Sequence, residues 1–74
     1  MEDKIFEILK NVFELESVDN KCSQENCEKW DSMGQLNLVV ELEDAFDISL
    51  EPEEIGQMRC YNDIVKILSE KGIQ

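Results

Sequence analysis

Apolar residues recur along the chain with helical spacing, in segments that polar stretches separate. In the first segment Ile5, Ile8, Leu9, Val12 and Phe13 stand at i, i+3, i+4, i+7 and i+8, the spacing of one buried helix face. Spacing, capping residues and stop signals together predict helices over about 2–15, 32–46, 53–58 and 61–71, with a long loop over 16–30. No sustained strand pattern interrupts them. The sequence therefore predicts an all-α fold, a small four-helix bundle whose third helix is short.

The long loop has few apolar residues, and these are the candidates for holding it against the core. They are Val18, Cys22, Cys27 and Trp30. A loop of this length in a small domain is usually functional or fixed by a few side chains. Trp30 has two interpretations, packing inside the domain or contact with a partner. Packing is favoured because a large ring is costly to leave in water.

The predicted second helix sorts its apolar residues onto two faces. Asp31 is a favourable N-cap, which makes Ser32 the first helical residue. Successive residues turn by about 100°, so one face carries Leu38, Leu42, Ala45 and Phe46, and the opposite face carries Met33, Leu36 and Val40, flanked by Asn37, Glu43 and Asp44. One face suffices for a core. The second is therefore predicted to be an exposed contact surface, with burial of both faces as the alternative.

Ser32 has a chemically favourable position. The first turn of a helix has unpaired backbone N–H groups and the positive end of the helix dipole. A phosphate on the Ser32 hydroxyl would be stabilised there, which makes this residue a candidate for phosphodiester attachment. The alternative is a serine that only helps to start the helix.

The same region resembles a known family. Asp31-Ser32-Met33, followed by Leu36, Leu38-Val39, Leu42-Glu43, Phe46-Asp47-Ile48 and Pro52-Glu53-Glu54-Ile55, is similar to the Asp-Ser-Leu region of acyl carrier proteins and peptidyl carrier domains. The likeness covers essentially the whole chain. Trp30 before Asp-Ser, with Gly34-Gln35-Leu36-Asn37-Leu38 after it, resembles a subset of stand-alone bacterial carrier proteins.

The resemblance implies a carrier and not an enzyme. It implies that a phosphopantetheinyl transferase attaches 4′-phosphopantetheine from coenzyme A to Ser32, beside Asp31. The thiol of this arm would hold an acyl group as a thioester and present it to partner enzymes. An aminoacyl or peptidyl cargo is an alternative, and so is an acidic interaction module without a prosthetic group. The resemblance also implies docking through Met33, Leu36, Asn37, Val40, Glu43 and Asp44.

Two residues depart from the fatty-acid-synthesis pattern of that family. Gly34 and Asn37 stand where many members carry acids that meet basic side chains of their enzymes. Docking on the fatty-acid enzymes is therefore not implied. Gly34 also lowers helix stability, which suggests either close approach by a partner or tolerance in a first turn.

Length and composition restrict the class of protein. A chain of 74 residues forms one small domain, and no apolar run approaches the roughly 20 residues that span a membrane. A net charge of −11 argues against nucleic acid and favours enzymes with basic docking surfaces. The N-terminus lacks a secretion-signal pattern, so a cytoplasmic location is expected. A monomer is expected as well.

Metal binding and catalysis have little support in the sequence. Three cysteines without any histidine match neither a disulfide framework nor a zinc site. The acids over 41–54 lack the EF-hand pattern, so no metal site is expected, with loose divalent-cation binding by this acidic patch as the alternative. No acid–base pair stands at a catalytic spacing.

Gly56 weakens the short third helix, and our hypothesis is that this helix moves to admit an acyl chain.

Overall fold

The computed structural model describes residues 2–73, and within them the chain forms four helices without a strand. They are α1 (Glu2–Phe13), α2 (Ser32–Phe46), α3 (Pro52–Gln57) and α4 (Tyr61–Glu70). The prediction of a small all-α bundle with a short third helix is confirmed. No helix within residues 2–73 combines the length and the apolar character needed to cross a bilayer.

Three helices end at a residue with left-handed backbone. These residues are Glu14 (φ 53°), Asp47 (φ 54°) and Gly72 (φ 88°), and in each case the next residue donates its N–H to a carbonyl five positions back. This is the Schellman arrangement, which satisfies carbonyls that the helix leaves unpaired. In α1 this arrangement ends the helix two residues before the predicted boundary. The boundary was missed because Glu14 occupies the left-handed position, where a glycine would have indicated the end of the helix.

The helix α3 begins at Pro52, one residue earlier than the predicted range. Proline suits a first helical position, and the N–H of Glu51 donates to the Glu54 carboxylate at 2.8 Å. None of the residues of α3 itself is buried. The following residue, Met58, is 1% exposed and anchors the end of the helix in the core.

The hydrophobic core lies among α1, α2, α4 and the long loop. Its fully buried side chains are Phe13, Ile5, Leu9, Leu38, Leu42, Met58, Ile64 and Leu68. Val39, which the pattern placed between the two faces of α2, is also buried, whereas Ala45 and Phe46 are only partly buried. The core face of α2 is therefore turned slightly from the predicted one.

The long loop is fixed to the bundle as predicted. Cys22, Cys27 and Trp30 are buried and Val18 packs partly against the core. The loop also pairs with the start of α4, where the Tyr61 N–H donates to the Cys22 carbonyl at 2.8 Å. Because the loop is held by the core and by the start of α4, it fixes the position of the residues that lead into α2.

Candidate functional site

Ser32 is exposed and is the first residue of α2. The residue before it, Asp31, has extended backbone, and its Oδ1 accepts a hydrogen bond from the Gly34 N–H at 2.9 Å. The predicted N-cap is therefore confirmed. Within residues 2–73 the N–H groups of Ser32 and Met33 have no hydrogen-bond acceptor. At the helix start, these two N–H groups, rather than those of the whole first turn, have no acceptor within the described residues.

Gly34 allows the incoming loop to pass close to the first turn of α2. A Cβ atom added there would overlap the Lys29 carbonyl oxygen and would lie 3.0 Å from Phe13 Cε1. The space is therefore occupied by the chain itself. Neither of the two interpretations offered from the sequence, approach by a partner or simple tolerance, accounts for this glycine, because the loop path was not visible in the helix pattern.

Trp30 packs inside the domain, as favoured from the sequence. Its ring is 2% exposed and stacks on Phe13 with centroids 5.2 Å apart. The indole Nε1–H donates to Gln35 Oε1 at 2.6 Å. A buried indole needs an acceptor for this group, and the side chain one turn into α2 supplies it.

Gln35 joins the start of α2 to the end of α3. Its Nε2 donates to the carbonyl oxygens of Ile55 at 2.7 Å and Met58 at 3.1 Å, while its Oε1 accepts from Trp30. Sequence reasoning missed this residue because a lone glutamine carries no periodic signal. The only indication in the sequence was that the indole of Trp30 required a partner.

An open cleft of about 490 Å³ lies between Ser32 and α3. It is lined by Gln24, Trp30, Asp31, Ser32, Gln35, Ile55, Gly56, Met58 and Arg59. The Ser32 hydroxyl therefore borders a groove that has a polar floor at Gln35, an open side at Gly56 and one cation at Arg59. No histidine occurs in the chain to act as a base toward the hydroxyl.

The second apolar face of α2 is exposed beside the serine. Met33, Leu36 and Val40 are 75%, 63% and 61% exposed, which excludes the alternative in which both faces are buried. Asn37 and Asp44 are exposed on the same side. Large apolar side chains that gather on one exposed face are typical of a surface that contacts another protein.

Glu43 differs from the other residues predicted for docking. It is partly buried, and its Oε2 accepts the Leu50 N–H at 2.8 Å. Its backbone carbonyl accepts the Ile48 N–H at 3.1 Å. This side chain therefore holds the turn that follows α2. The pattern had placed it on the docking face alone, because the fold of the turn was not evident.

Within residues 2–73, no three histidine, cysteine, aspartate or glutamate side chains are grouped so as to hold a metal ion. The pKa of Glu54 is lowered by the hydrogen bond from the Glu51 N–H and by its ion pair with Lys71. The first contact caps the start of α3, and the second attaches α3 to the residue that follows α4. The distinctive chemistry near the cleft is thus one exposed hydroxyl on a helix start.

Comparison with known proteins gives one informative relative. No model of a protein family matches the chain, and no solved structure matches it. A curated acyl carrier protein from Syntrophus aciditrophicus (strain SB) is 30% identical over 77 residues, which cover 99% of this chain and 94% of the relative. A carrier name agrees with the expectation that the chain is not an enzyme. The identity and the near-complete coverage show that the chain belongs to the acyl carrier protein family.

Proposed function

We propose that this protein carries an acyl group as a thioester on a 4′-phosphopantetheine arm attached to Ser32. The observation that supports the proposal most directly is the exposed hydroxyl on the first residue of α2, in a member of the acyl carrier protein family. A transferase can reach this oxygen without disturbing the core. The arm supplies a thiol on a flexible tether, to which the cargo is joined.

The residues around Ser32 fit a phosphodiester. The N–H groups of Ser32 and Met33 lie at the positive end of the α2 dipole and have no acceptor within residues 2–73. The carboxylate of Asp31, which would otherwise repel a phosphate, is turned toward the Gly34 N–H. Arg59 lines the same cleft and adds a positive charge. These groups would therefore orient a phosphodiester on Ser32 and offset its negative charge.

The exposed face of α2 is proposed as the docking surface for partner enzymes. Met33, Leu36 and Val40 supply apolar contact area within reach of the attachment point. Asn37 and Asp44 border them, and Glu43 contributes the part of its carboxylate that the Leu50 N–H does not use. An enzyme with an apolar patch rimmed by basic residues would fit this surface. Docking beside Ser32 directs a tethered cargo into the active site of the partner.

The test is modification with coenzyme A and a promiscuous phosphopantetheinyl transferase, followed by intact-mass spectrometry. The wild-type protein should gain one phosphopantetheine. Ser32→Ala should gain none, whereas Ser49→Ala, which removes another exposed serine, should be modified like the wild type. Modification of Ser32→Ala, or failure of several transferases to modify the folded wild-type protein, would contradict the proposal.

The same exposed face supports an alternative function, an acidic interaction module that carries nothing. The two functions differ at Ser32. In the alternative, Ser32→Ala binds partners and supports their activity like the wild type. In the carrier, that variant still docks but cannot transfer cargo. A carrier of aminoacyl or peptidyl groups would pass the same attachment test, and the loading enzyme would identify it.

A further inference from the structure

Two thiols meet in the long loop, away from the cleft beside Ser32. Cys22 and Cys27 are each 6% exposed and belong to the hydrophobic core. All three cysteines of the chain are unbridged. Neither of these two buried thiols has a part in the proposed carrier function, so their arrangement is a separate question.

A tight turn brings Cys22 and Cys27 together. Residues 23–26 form the turn, in which the Asn26 N–H donates to the Ser23 carbonyl at 3.3 Å. The ends of such a turn lie less than about 7 Å apart, and the two cysteines flank it directly. The side chain of Asn26 closes the turn further, since Oδ1 accepts from the Ser23 N–H at 3.0 Å and Nδ2 donates to the Lys21 carbonyl at 2.8 Å.

The third cysteine is directed elsewhere. Cys60 pairs with Ser23 in an isolated antiparallel bridge. Directly paired residues place their side chains on the same side, and neighbours along a strand alternate. Cys60 is therefore paired with Ser23 and not with Cys22. Burial is the main cause of the raised pKa of the Cys22 thiol, and Cys27, through its charge and a hydrogen bond, is the one cysteine that adds to it.

The pair borders a cavity that opens to solvent. This cavity has a volume of about 360 Å³ and is lined by Leu15, Ser17, Val18, Asp19, Cys22, Asn26 and Cys27. A small oxidant can therefore approach both cysteines through this opening. Burial, Cys27 and Asp19 raise the pKa of Cys22 to about 11, so its thiolate is scarce at neutral pH and the pair resists casual oxidation.

We propose that Cys22 and Cys27 form a dithiol site that hydrogen peroxide oxidises to an intramolecular disulfide. One sulfur, as its thiolate, attacks a peroxide oxygen. The O–O bond breaks, a sulfenic acid forms, and the leaving hydroxide takes up the thiol proton to become water. The second sulfur attacks the sulfenic sulfur, the S–O bond breaks, and a second water leaves. Two thiols thus give two electrons and two protons to one peroxide.

The disulfide would affect the approach to α2. Cys27 accepts the Trp30 N–H at its carbonyl, at 3.1 Å, and Cys22 accepts the Tyr61 N–H at 2.8 Å. A bond between the two cysteines therefore joins the part of the loop held by α4 to the part that positions Trp30. Trp30 is the single tryptophan of the chain, so its fluorescence reports on the change.

The experiment uses the folded Ser32→Ala protein, in which no arm thiol can take part. Reduced protein is treated with hydrogen peroxide, its remaining thiols are alkylated, and peptides are mapped by mass spectrometry. We expect loss of two hydrogen atoms, a peptide linked through Cys22 and Cys27, and one alkylated thiol at Cys60. Reduction with dithiothreitol should restore the starting mass and the Trp30 emission.

Matched variants separate the pair from general thiol oxidation. Cys60→Ser should form the disulfide at the wild-type rate. Asn26→Ala, which loosens the turn, should form it about tenfold more slowly, because holding reacting groups together accelerates their reaction. A bond that includes Cys60, dimers as the main product, or oxidation of each thiol separately to sulfinic acid would overturn the proposal. An unchanged rate of disulfide formation in an Asn26→Ala variant that keeps the wild-type circular dichroism would also overturn it.

Discussion

A single amide, that of Gln35, holds three parts of the molecule together beside the serine. It accepts from the Trp30 indole and donates to two carbonyls at the end of α3. The amide oxygen of Gln35 faces the loop as an acceptor, and its nitrogen faces α3 as a donor. The precision of the site therefore depends on a residue that shows no pattern in the sequence.

Gln35→Met tests this role. Methionine keeps the length and helix propensity of glutamine but cannot hydrogen-bond to the indole or the carbonyls. We expect urea denaturation to show a loss of about 1–3 kcal/mol, because partly buried polar groups lose their partners. The emission of Trp30 should also change. Gln57→Met, at an exposed position of α3, should be neutral. Equal stability of the two variants would mean that water replaces the amide at little cost.

The raised pKa of the Cys22 thiol predicts that the folded protein loses stability at alkaline pH. Its pKa is raised from 9.0 to about 11 in the folded protein, mainly by burial and then by Cys27 and Asp19. The folded state therefore keeps its proton at a pH where the unfolded state has lost it. The stabilisation is complete below pH 9 and is lost progressively as the pH rises toward 11.

Urea denaturation at a series of pH values measures this effect. Cys22→Ala should show a flatter dependence between pH 9 and 11 than the wild type. Burial and the charges of Glu2 and Asp3 also raise the pKa of Tyr61, so this tyrosine acts in the same direction above pH 10. Comparison with Tyr61→Phe separates the two groups. An identical slope in Cys22→Ala and the wild type would assign the whole effect to Tyr61.

Residues near Ser32 differ in how far the sequence could predict them. The N-cap role of Asp31 follows from local chemistry, since its partner is three residues away. Gly34 is explained by the Lys29 carbonyl and Phe13, and Gln35 by Ile55 and Met58. These partners come together only when the loop and α3 are placed. Local rules therefore identified the cap and could not identify the contacts behind it.

At the scale of elements, α2 contributes to two surfaces, the core and the exposed apolar face. Leu38 and Leu42 face the core with no exposed area, whereas Met33, Leu36 and Val40 are more than half exposed. The sequence predicted this division because helical spacing is local. It could not predict the partial burial of Glu43, which depends on the turn that carries Leu50 back to α2.

Substitutions on the two faces should have opposite effects. Leu42→Ala should cost about 2–5 kcal/mol of unfolding free energy, because it leaves a cavity in a fully buried position. Val40→Asp, on the exposed face, should leave the denaturation midpoint nearly unchanged and should weaken binding to a phosphopantetheinyl transferase, measured by titration calorimetry. If Val40→Asp unfolded the domain, the assignment of the exposed face would be wrong.

Glu43→Lys changes a residue that was predicted for docking, but the structure gives this residue a second role. Its carboxylate accepts the Leu50 N–H, so the substitution should also destabilise the turn between α2 and α3. Weak binding by this variant would therefore mix two causes. Asp44→Lys, at an exposed position next in the chain, is the cleaner test of charge on the docking face.

The attachment of α3 predicts that it opens more easily than α1. None of its own residues is buried, and it is held by Gln35, by the Lys71–Glu54 ion pair at 2.9 Å and by Met58 at its end. By contrast, α1 buries four residues. Amides of α3 should therefore exchange with deuterium faster than those in the middle of α1 under native conditions. Equal protection would remove the basis for a cleft that widens to admit cargo.

At the scale of the whole molecule, negative charge dominates the surface around the site. The chain has 18 acidic and 7 basic side chains, and no basic residue occurs between Lys29 and Arg59. Lys29 itself forms an ion pair with Glu14, the residue that follows α1. The fold class and this acidic character follow from the sequence, because both are sums over many residues. The placement of the loop depends on long-range contacts and required the structure.

This charge predicts that association with a basic partner depends on salt. Long-range attraction accelerates encounter, and mobile ions screen it over about 8–10 Å at moderate ionic strength. The association rate with a basic phosphopantetheinyl transferase, measured by stopped flow, should therefore fall as sodium chloride is raised, while the circular dichroism of the carrier stays constant. Asp44→Asn, beside the docking face, should bind more slowly at low salt and show a shallower salt dependence. Glu7→Asn, which removes an exposed charge on α1, should change both less. Equal effects of the two substitutions would mean that net charge alone attracts the partner, without guidance toward Ser32.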